Sequence, residues 1–97
     1  MDICPGDVVI SKAGRDKNRY FIIIEKADEN YVYIVDGDMR RIEKPKKKKI
    51  KHLQVVKNFP SPSTELEVIR EKIHTSQRIT DAEIRKCLQG LTRNSDA

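Results

Sequence analysis

Short runs of β-branched and aromatic residues, separated by polar turn residues, fill the first part of the chain. The runs cover residues 7–12, 19–25, 31–35 and 53–56. Such runs, without helical spacing among them, are typical of β-strands. The Asp36-Gly37 pair after the third run is a strong hairpin signal and predicts that residues 39–42 return antiparallel to it. Five short strands in under sixty residues indicate a small antiparallel barrel.

Two of these runs, residues 21–24 and 31–35, are apolar at every position rather than at alternate positions. Both faces of a strand with that pattern need cover. We therefore expect one face of the sheet to fill the interior of the barrel and the other face to receive a helix. The alternative left open is that the helices dock on another molecule.

The hydrophobic spacing changes after the strands. The sequence Pro-Ser-Pro-Ser at residues 60–63 breaks strand geometry and predicts a hinge. The chain is thereby divided into a barrel domain, residues 1–59, and a helical C-terminal extension, residues 60–97.

A first amphipathic helix is predicted from residue 64 to about residue 76. Thr64 and Glu67 have the spacing of a capping box. The apolar positions follow the helical spacing i, i+3 and i+7, and they are Leu66, Ile69 and Ile73.

A second short helix has the clearer start signal. Thr80 is the predicted N-cap with Glu83 three residues later, and Ile79 and Ile84 are spaced as a hydrophobic staple. Gly90 is placed to end this helix. Its predicted apolar face consists of Ile84, Cys87, Leu88 and Leu91.

Positive charge is concentrated in one segment of the chain. Residues 1–59 hold 14 basic and 9 acidic side chains, whereas residues 60–97 hold 6 of each. Residues 40–51 alone carry eight basic residues against one acidic residue, a net charge of +7. So dense a run of like charges is either a solvated loop or a surface completed by a polyanion. A solubilising loop and a nuclear-import signal have the same composition.

The lysine run after Pro45 is predicted to be an extended ribbon whose alternate side chains point to either side. Lysine is a point charge, so such a ribbon binds phosphates without reading bases. The candidate phosphate contacts in this segment are Arg40, Arg41, Lys44, Lys46, Lys47, Lys48, Lys49, Lys51 and His52.

Several classes of function find no support in the sequence. Cys4 and Cys87 lie far apart with only two histidines as further soft ligands, so we predict reduced thiols and no metal site. No Ser, Cys or His spacing suggests nucleophilic catalysis, so we expect no enzyme, no cofactor and no small-molecule substrate. No apolar run is long enough for a membrane span, and the first residues do not resemble a signal peptide. We therefore expect a soluble, cytoplasmic protein.

Residues 6–17 read GDVVISKAGRDK and closely resemble the KOW motif of RNA-binding domains. The similarity covers roughly residues 4–56. It is greatest to the KOW ribosomal proteins of the archaeal and eukaryotic large subunit and to their short bacterial relatives. The resemblance implies that this part of the chain is an SH3-like barrel that binds RNA, and the two short C-terminal helices predicted from the hydrophobic spacing follow it.

The resemblance also implies which loop residues bind RNA, because the family pattern has a key glycine in a basic loop. Gly14 matches that glycine, and Asn18 stands where close relatives have a second glycine. Asparagine tolerates the left-handed conformation best among other residues, so the turn should be kept. An ordinary hairpin glycine and a local Arg15–Asp16 surface ion pair remain open as alternatives. The candidate contacts in this loop are Lys12, Gly14, Arg15, Lys17, Asn18 and Arg19.

Aromatic residues are few, which favours recognition of structured RNA through its backbone and shape over recognition by base stacking. The chain has three Tyr, two Phe and no Trp. The strand aromatics are interpreted mainly as core: Tyr20, Phe21, Tyr31 and Tyr33. So small a supply also disfavours the aromatic cage of a methyl-lysine reader.

Two functional hypotheses remain. In the first, the chain is a non-enzymatic RNA-binding protein that associates with ribosomal RNA or ribosomal subunits, as a ribosomal protein or a translation or assembly factor. In the second, it is a protein-interaction module resembling the KOW domains of transcription elongation factors, with the helical extension as the partner-binding element. Apolar helix faces that stay exposed would favour the second, and faces buried on the barrel would favour the first.

Overall fold

The computed structural model of the protein describes residues 3–56 and 64–95, with the backbone alone for residue 64 and residues 90–95. The elements in chain order are β1 (Val8–Ser11), β2 (Tyr20–Lys26), β3 (Tyr31–Val35), β4 (Lys46–Lys49), a 3-10 turn (Ile50–His52), β5 (Leu53–Val55), α1 (Thr64–His74) and α2 (Asp81–Ser95). The protein is thus mainly β with two C-terminal helices, as the sequence predicts.

The five strands form one open antiparallel sheet. Their order is β4-β3-β2-β1-β5, so the last strand pairs with the first and β4 lies at the opposite edge. Val9 of β1 is opposite Phe21 of β2 on one side and Val55 of β5 on the other. The register between β2 and β3 shifts between Ile23 and Glu25, so the alternation of the two faces is interrupted there.

Neighbouring residues of β1, β2 and β3 are buried on opposite faces of the sheet. On one face, called here the inner face, lies the inner apolar cluster, which consists of Ile3, Val9, Phe21, Ile23, Val32, Ile34 and Leu53. On the other, outer face, the sheet packs against the two helices. The helix–sheet cluster formed there consists of Val8, Ile22, Val35, Leu66, Ile69, Ile84, Cys87 and Leu88. The prediction that the continuous apolar runs are covered on both sides, with helices on one of them, is confirmed.

The predicted strand at residues 39–42 is wrong, because the fourth strand is Lys46–Lys49. The carboxylate of Asp36 accepts hydrogen bonds from the backbone N–H groups of Asp38 and Arg40, at 2.9 and 2.8 Å. The N–H of Ile42 donates to Asp81 Oδ1 of α2 at 2.8 Å instead of to a neighbouring strand. The Asp-Gly turn therefore forms a loop that docks on a helix.

The start of α2 agrees with the prediction. The N–H of Glu83 donates to Thr80 Oγ1 at 3.2 Å, and the N–H of Thr80 donates to Glu83 Oε1 at 3.1 Å. This reciprocal pair is a capping box. The predicted end at Gly90 is wrong, because α2 continues to Ser95. A glycine inside a helix costs only about 1 kcal/mol relative to alanine, which does not by itself end the helix.

The first helix ends at His74, close to the predicted position. Ser76 follows it with a φ of 57°, the left-handed conformation that often ends helices. Some predictions fall outside the described residues: the hinge at residues 60–63, the domain boundary after residue 59, the Thr64 cap and the side chain of Leu91.

Candidate nucleic-acid interface

The connection between β1 and β2, residues 12–19, is named here the basic loop. Gly14 and Asn18 have φ angles of 79° and 70°, so both adopt the left-handed conformation. The left-handed conformation expected at residue 18 is confirmed. Asn18 N–H donates to the carbonyl oxygen of Ser11 at 2.8 Å, which closes the loop. The side chains of Lys12, Arg15 and Lys17 are exposed to solvent.

The lysines of β4 alternate between the two faces of the sheet, as predicted. Lys48 lies opposite Val32, a residue of the inner apolar cluster. Its ammonium group donates to the carbonyl oxygen of Ala13 at 3.0 Å. One lysine of the edge strand is therefore attached to the basic loop.

Lys47 and Lys49 lie on the outer face, around the ring of Tyr31. Their Nζ atoms lie 5.1 and 6.0 Å from the centroid of that ring. Ammonium groups at this distance are attracted by the negative face of an aromatic ring. This face of β4 presents positive charge beside an aromatic ring that is half-buried.

Two ion pairs join the basic loop to the connection between β3 and β4. Arg40 Nη2 lies 3.3 Å from Asp16 Oδ2, and Arg19 Nη2 lies 3.2 Å from Asp36 Oδ2. Both carboxylates are buried, and the partner of Asp16 is Arg40 rather than the neighbouring Arg15. Burial of one partner makes such pairs sensitive to the loss of the other. Arg19 and Arg40 therefore hold the two connections together.

The other candidate contacts lie around the same region. Arg41, Lys44 and Lys51 are exposed, whereas Lys46 and His52 are half-buried. The carbonyl oxygen of His52 accepts a hydrogen bond from the N–H of Lys12 at 2.8 Å. The basic loop is thus in contact with β4 through Lys48, with the connection before β4 through Arg40, and with the 3-10 turn through His52.

Neither protein-family models nor curated proteins give a match to this chain. None of the described helices combines the length and the apolar character that crossing a membrane needs. Within residues 3–56 and 64–95, no group of three or more His, Cys, Asp or Glu side chains is arranged to hold a metal ion. Both cysteines are thiols, with Cys4 exposed and Cys87 buried in the helix–sheet cluster.

The aromatic residues separate into core and surface groups. Phe21 is fully buried, and Tyr20 packs against the helix–sheet cluster. Tyr31 and Tyr33 are half-buried and lie opposite Lys49 and Lys47. Tyr31 and Tyr33 are therefore partly accessible at the basic side of the sheet, and Tyr20 is partly accessible beside α2.

Sequence reasoning missed the role of two aspartates in this region. Asp16 lies within the basic loop, where the sequence offers the neighbouring Arg15 as a partner, and Asp36 is predicted only as part of a hairpin turn. Neither has a spacing that identifies its partner, because the partners are Arg40 and Arg19, 24 and 17 positions away. Only the alignment of the two connections in the folded sheet brings these charges together.

Proposed function

We propose that this protein is a non-enzymatic RNA-binding protein of the KOW type, which binds ribosomal RNA or ribosomal subunits. The observation that carries the proposal is the convergence of basic segments on one loop. Lys48 of β4 donates to Ala13 of the basic loop, and Arg40 pairs with Asp16 of the same loop. Two segments that are separate in the sequence thereby form one positively charged surface, which suits the phosphate backbone of a nucleic acid.

The internal contacts of this surface support binding to a structured RNA. The arginines that form ion pairs fix the shape of the loops, while Lys12, Arg15 and Lys17 remain exposed for phosphates. A surface that is ordered before binding loses less conformational entropy on association. Lysines that contact phosphates bring affinity with little sequence preference.

The fold supports the same family. We take the five short antiparallel strands, with the last paired to the first, as support for an SH3-like barrel, in which the inner apolar cluster would form the interior. The helices bury their apolar residues on the outer face of the protein's own sheet. The protein-interaction hypothesis requires apolar helix faces that are exposed to a partner, whereas these apolar residues of α1 and α2 are buried against the sheet.

Salt-dependent binding tests the proposal. The probes are a 12-base-pair RNA duplex, which represents structured RNA, and a 12-nucleotide single-stranded RNA, and binding of each is measured by fluorescence anisotropy at several salt concentrations. If about six phosphates are neutralised, log K should fall against log salt with a slope of roughly −5 for the duplex and roughly −4 for the single strand. Absence of binding at low salt, or an affinity that does not depend on salt, would contradict the proposal.

Two charge-matched double variants locate the surface. Lys47→Gln with Lys49→Gln removes two charges from β4, and it should reduce the salt slope by between one and two. Arg78→Gln with Lys86→Gln removes two exposed charges from the helical part and should leave the slope unchanged. Cosedimentation of both variants with ribosomal subunits tests the ribosomal assignment, and equal losses in the two variants would argue against it.

A further inference from the structure

A cavity of about 440 Å³ opens beside the basic loop. Asn18, near the end of the loop, and Gln89 of α2 both line it. Tyr20 and Leu88 give the cavity an apolar part. The cavity therefore combines apolar surface with polar groups at its rim, and its volume lies within the range of pockets that take small organic groups.

The charges at this cavity are balanced, unlike those of the surrounding surface. Two arginines, Arg19 and Arg85, face two aspartates, Asp36 and Asp38. Arg19 pairs with Asp36 at 3.2 Å. Arg85 Nη1 donates to the carbonyl oxygen of Gly37 at 2.6 Å. A phosphate would gain little here, because the positive groups already have partners and the carboxylates repel it.

A neutral, flat group with hydrogen-bonding edges fits the cavity better. The side chains of Asn18, Asp38 and Gln89 are exposed at its rim. Amides carry both donors and acceptors, and a carboxylate accepts from an exocyclic amine or ring N–H. The edge of a nucleobase presents the same kinds of group, and its ring can lie against Tyr20 and Leu88.

We infer that this cavity receives one unstacked base of the bound RNA, while the neighbouring lysines hold the phosphates. The inference rests on the proposed RNA-binding function and adds a site of recognition to it. Lysines cannot distinguish one base from another, whereas the amides of Asn18 and Gln89 can. The protein would thus bind an RNA helix preferentially where a base is unpaired.

The test compares two RNA probes with the full chain. One is a 12-base-pair RNA duplex, and the other is the same duplex with one bulged nucleotide, in four versions that differ in the bulged base. The bulged duplexes should bind about tenfold more tightly for the preferred base, since a good base contact discriminates by this order. Affinities are measured by fluorescence anisotropy at one fixed salt concentration.

Three variants at the rim of the cavity distinguish recognition of the bulged base from binding of the phosphates. Asn18→Gly keeps the left-handed conformation, and Gln89→Leu and Asp38→Asn change exposed side chains, so all three should fold. Gln89→Leu should lose the preference for the bulge and keep the affinity for the unbroken duplex, and Asn18→Gly should lose the preference for the bulge as well. Asp38→Asn should change which bulged base is preferred. Lys47→Gln, the matched control, should weaken both probes equally.

The outcomes separate this inference from the proposed function. Equal, salt-dependent binding of the bulged and unbroken duplexes would overturn the base site and leave RNA binding in place. A bulge preference that survives both Asn18→Gly and Gln89→Leu would also overturn it, because the preference would then arise from the flexibility of the RNA. Loss of binding to every probe at low salt would instead overturn the proposed function itself.

Discussion

The carboxylate of Asp81 accepts a hydrogen bond from the backbone N–H of Ile42 at 2.8 Å, although the two residues are 39 positions apart. One turn further along α2, Arg85 donates to the carbonyl oxygen of Gly37 at 2.6 Å. The first turns of α2 therefore hold the connection between β3 and β4. That connection in turn carries Arg40, which pairs with Asp16 of the basic loop. The helical extension carries no net charge, yet through these contacts it helps to fix the position of Arg40 beside the basic loop.

Asp81→Ala is expected to loosen this connection. Loss of the acceptor leaves the Ile42 N–H without its protein partner, which should lower the stability by about 1 kcal/mol and weaken RNA binding through the displaced Arg40. Asp81→Asn keeps a side-chain oxygen and should bind RNA almost as the parent does. Hydrogen exchange of the Ile42 amide measures the contact directly. Equal exchange rates in the parent and in Asp81→Ala would show that the contact does not hold the loop.

Gly37 and Gly14 offer a matched pair of substitutions. Both have a φ of 79°, so alanine is strained to the same degree at either position. At Gly37 the added methyl group would also collide with the carbonyl oxygen of Asp81 and with Arg85, whereas at Gly14 it would meet only Lys48 Nζ at 3.4 Å. Gly14→Ala should cost about 1–2 kcal/mol. Gly37→Ala should cost clearly more in thermal unfolding, and equal losses would show that α2 does not pack on this turn.

Substitutions of two neighbouring lysines of β4, Lys47 and Lys48, should differ in their effect on thermal stability. Lys48 donates to Ala13 and is half-buried, so Lys48→Gln should lower the thermal midpoint of unfolding as well as the RNA affinity. Lys47 is exposed on the other face, so Lys47→Gln should lower the RNA affinity alone and reduce the salt slope by about one. Melting curves and anisotropy titrations of the two variants make the comparison. Identical melting curves would contradict a structural role for Lys48.

The sequence predicts well those features that depend on local spacing. The alternating and continuous apolar runs identify β1, β2, β3 and β5, and the Thr80–Glu83 spacing identifies the start of α2. The exception is informative. The Asp36-Gly37 pair has the composition of a tight hairpin, but the aspartate bonds its own loop and the glycine lies beneath α2. A local pattern could not reveal that the strand pairing with β3 would be the lysine run.

The candidate site depends more on tertiary structure than on local pattern. Lysine-rich composition and the glycine of the basic loop locate the charged segments in the sequence. In the folded protein these segments contact each other through Lys48 and Ala13 and through Arg40 and Asp16. Those contacts depend on where the sheet places β4 relative to the basic loop, which no local pattern shows. A run of four lysines also has low β-propensity, and here it forms an edge strand because β3 offers unpaired backbone groups.

The ion pair between the two helices gives a pH-dependent contribution to stability. Lys72 Nζ lies 2.6 Å from Glu83 Oε2, and this hydrogen bond lowers the pKa of Glu83 below its ordinary value of 4.5. A carboxyl group with a lowered pKa stabilises the folded state above its unfolded pKa, and the stabilisation is lost as the pH falls through the folded pKa.

Glu83→Gln should therefore be less stable than the parent at neutral pH. Since both side chains are more than a quarter exposed, the difference should be below about 1 kcal/mol. It should shrink as the pH falls below 4.5 and vanish once Glu83 of the parent is protonated. Urea denaturation at several pH values measures this difference. A difference that persists in strong acid would mean that glutamine disturbs the capping box instead.

Removal of the two helices should strongly lower the stability of the sheet. Ending the chain at Asn58 exposes the outer faces of Val8, Ile22 and Val35, which the helices cover in the full chain. The helix side chains buried there are Leu66, Ile69, Ile84, Cys87 and Leu88. Each large aliphatic side chain contributes about 1.5–3 kcal/mol, and their sum is comparable with the whole net stability of a small domain.

The truncated chain is therefore expected to lose cooperative thermal unfolding, and with it the RNA affinity that depends on an ordered connection between β3 and β4. Circular dichroism melts and the spread of amide proton shifts measure the loss of structure. Ile84→Ala in the full chain is the milder comparison, because it removes one buried side chain, costs about 2–5 kcal/mol and keeps the Asp81 and Arg85 contacts. If the truncated chain melts cooperatively at the parent's midpoint, the sheet does not need its helices. The buried faces of α1 and α2 would then be available to a partner, which would favour the protein-interaction hypothesis.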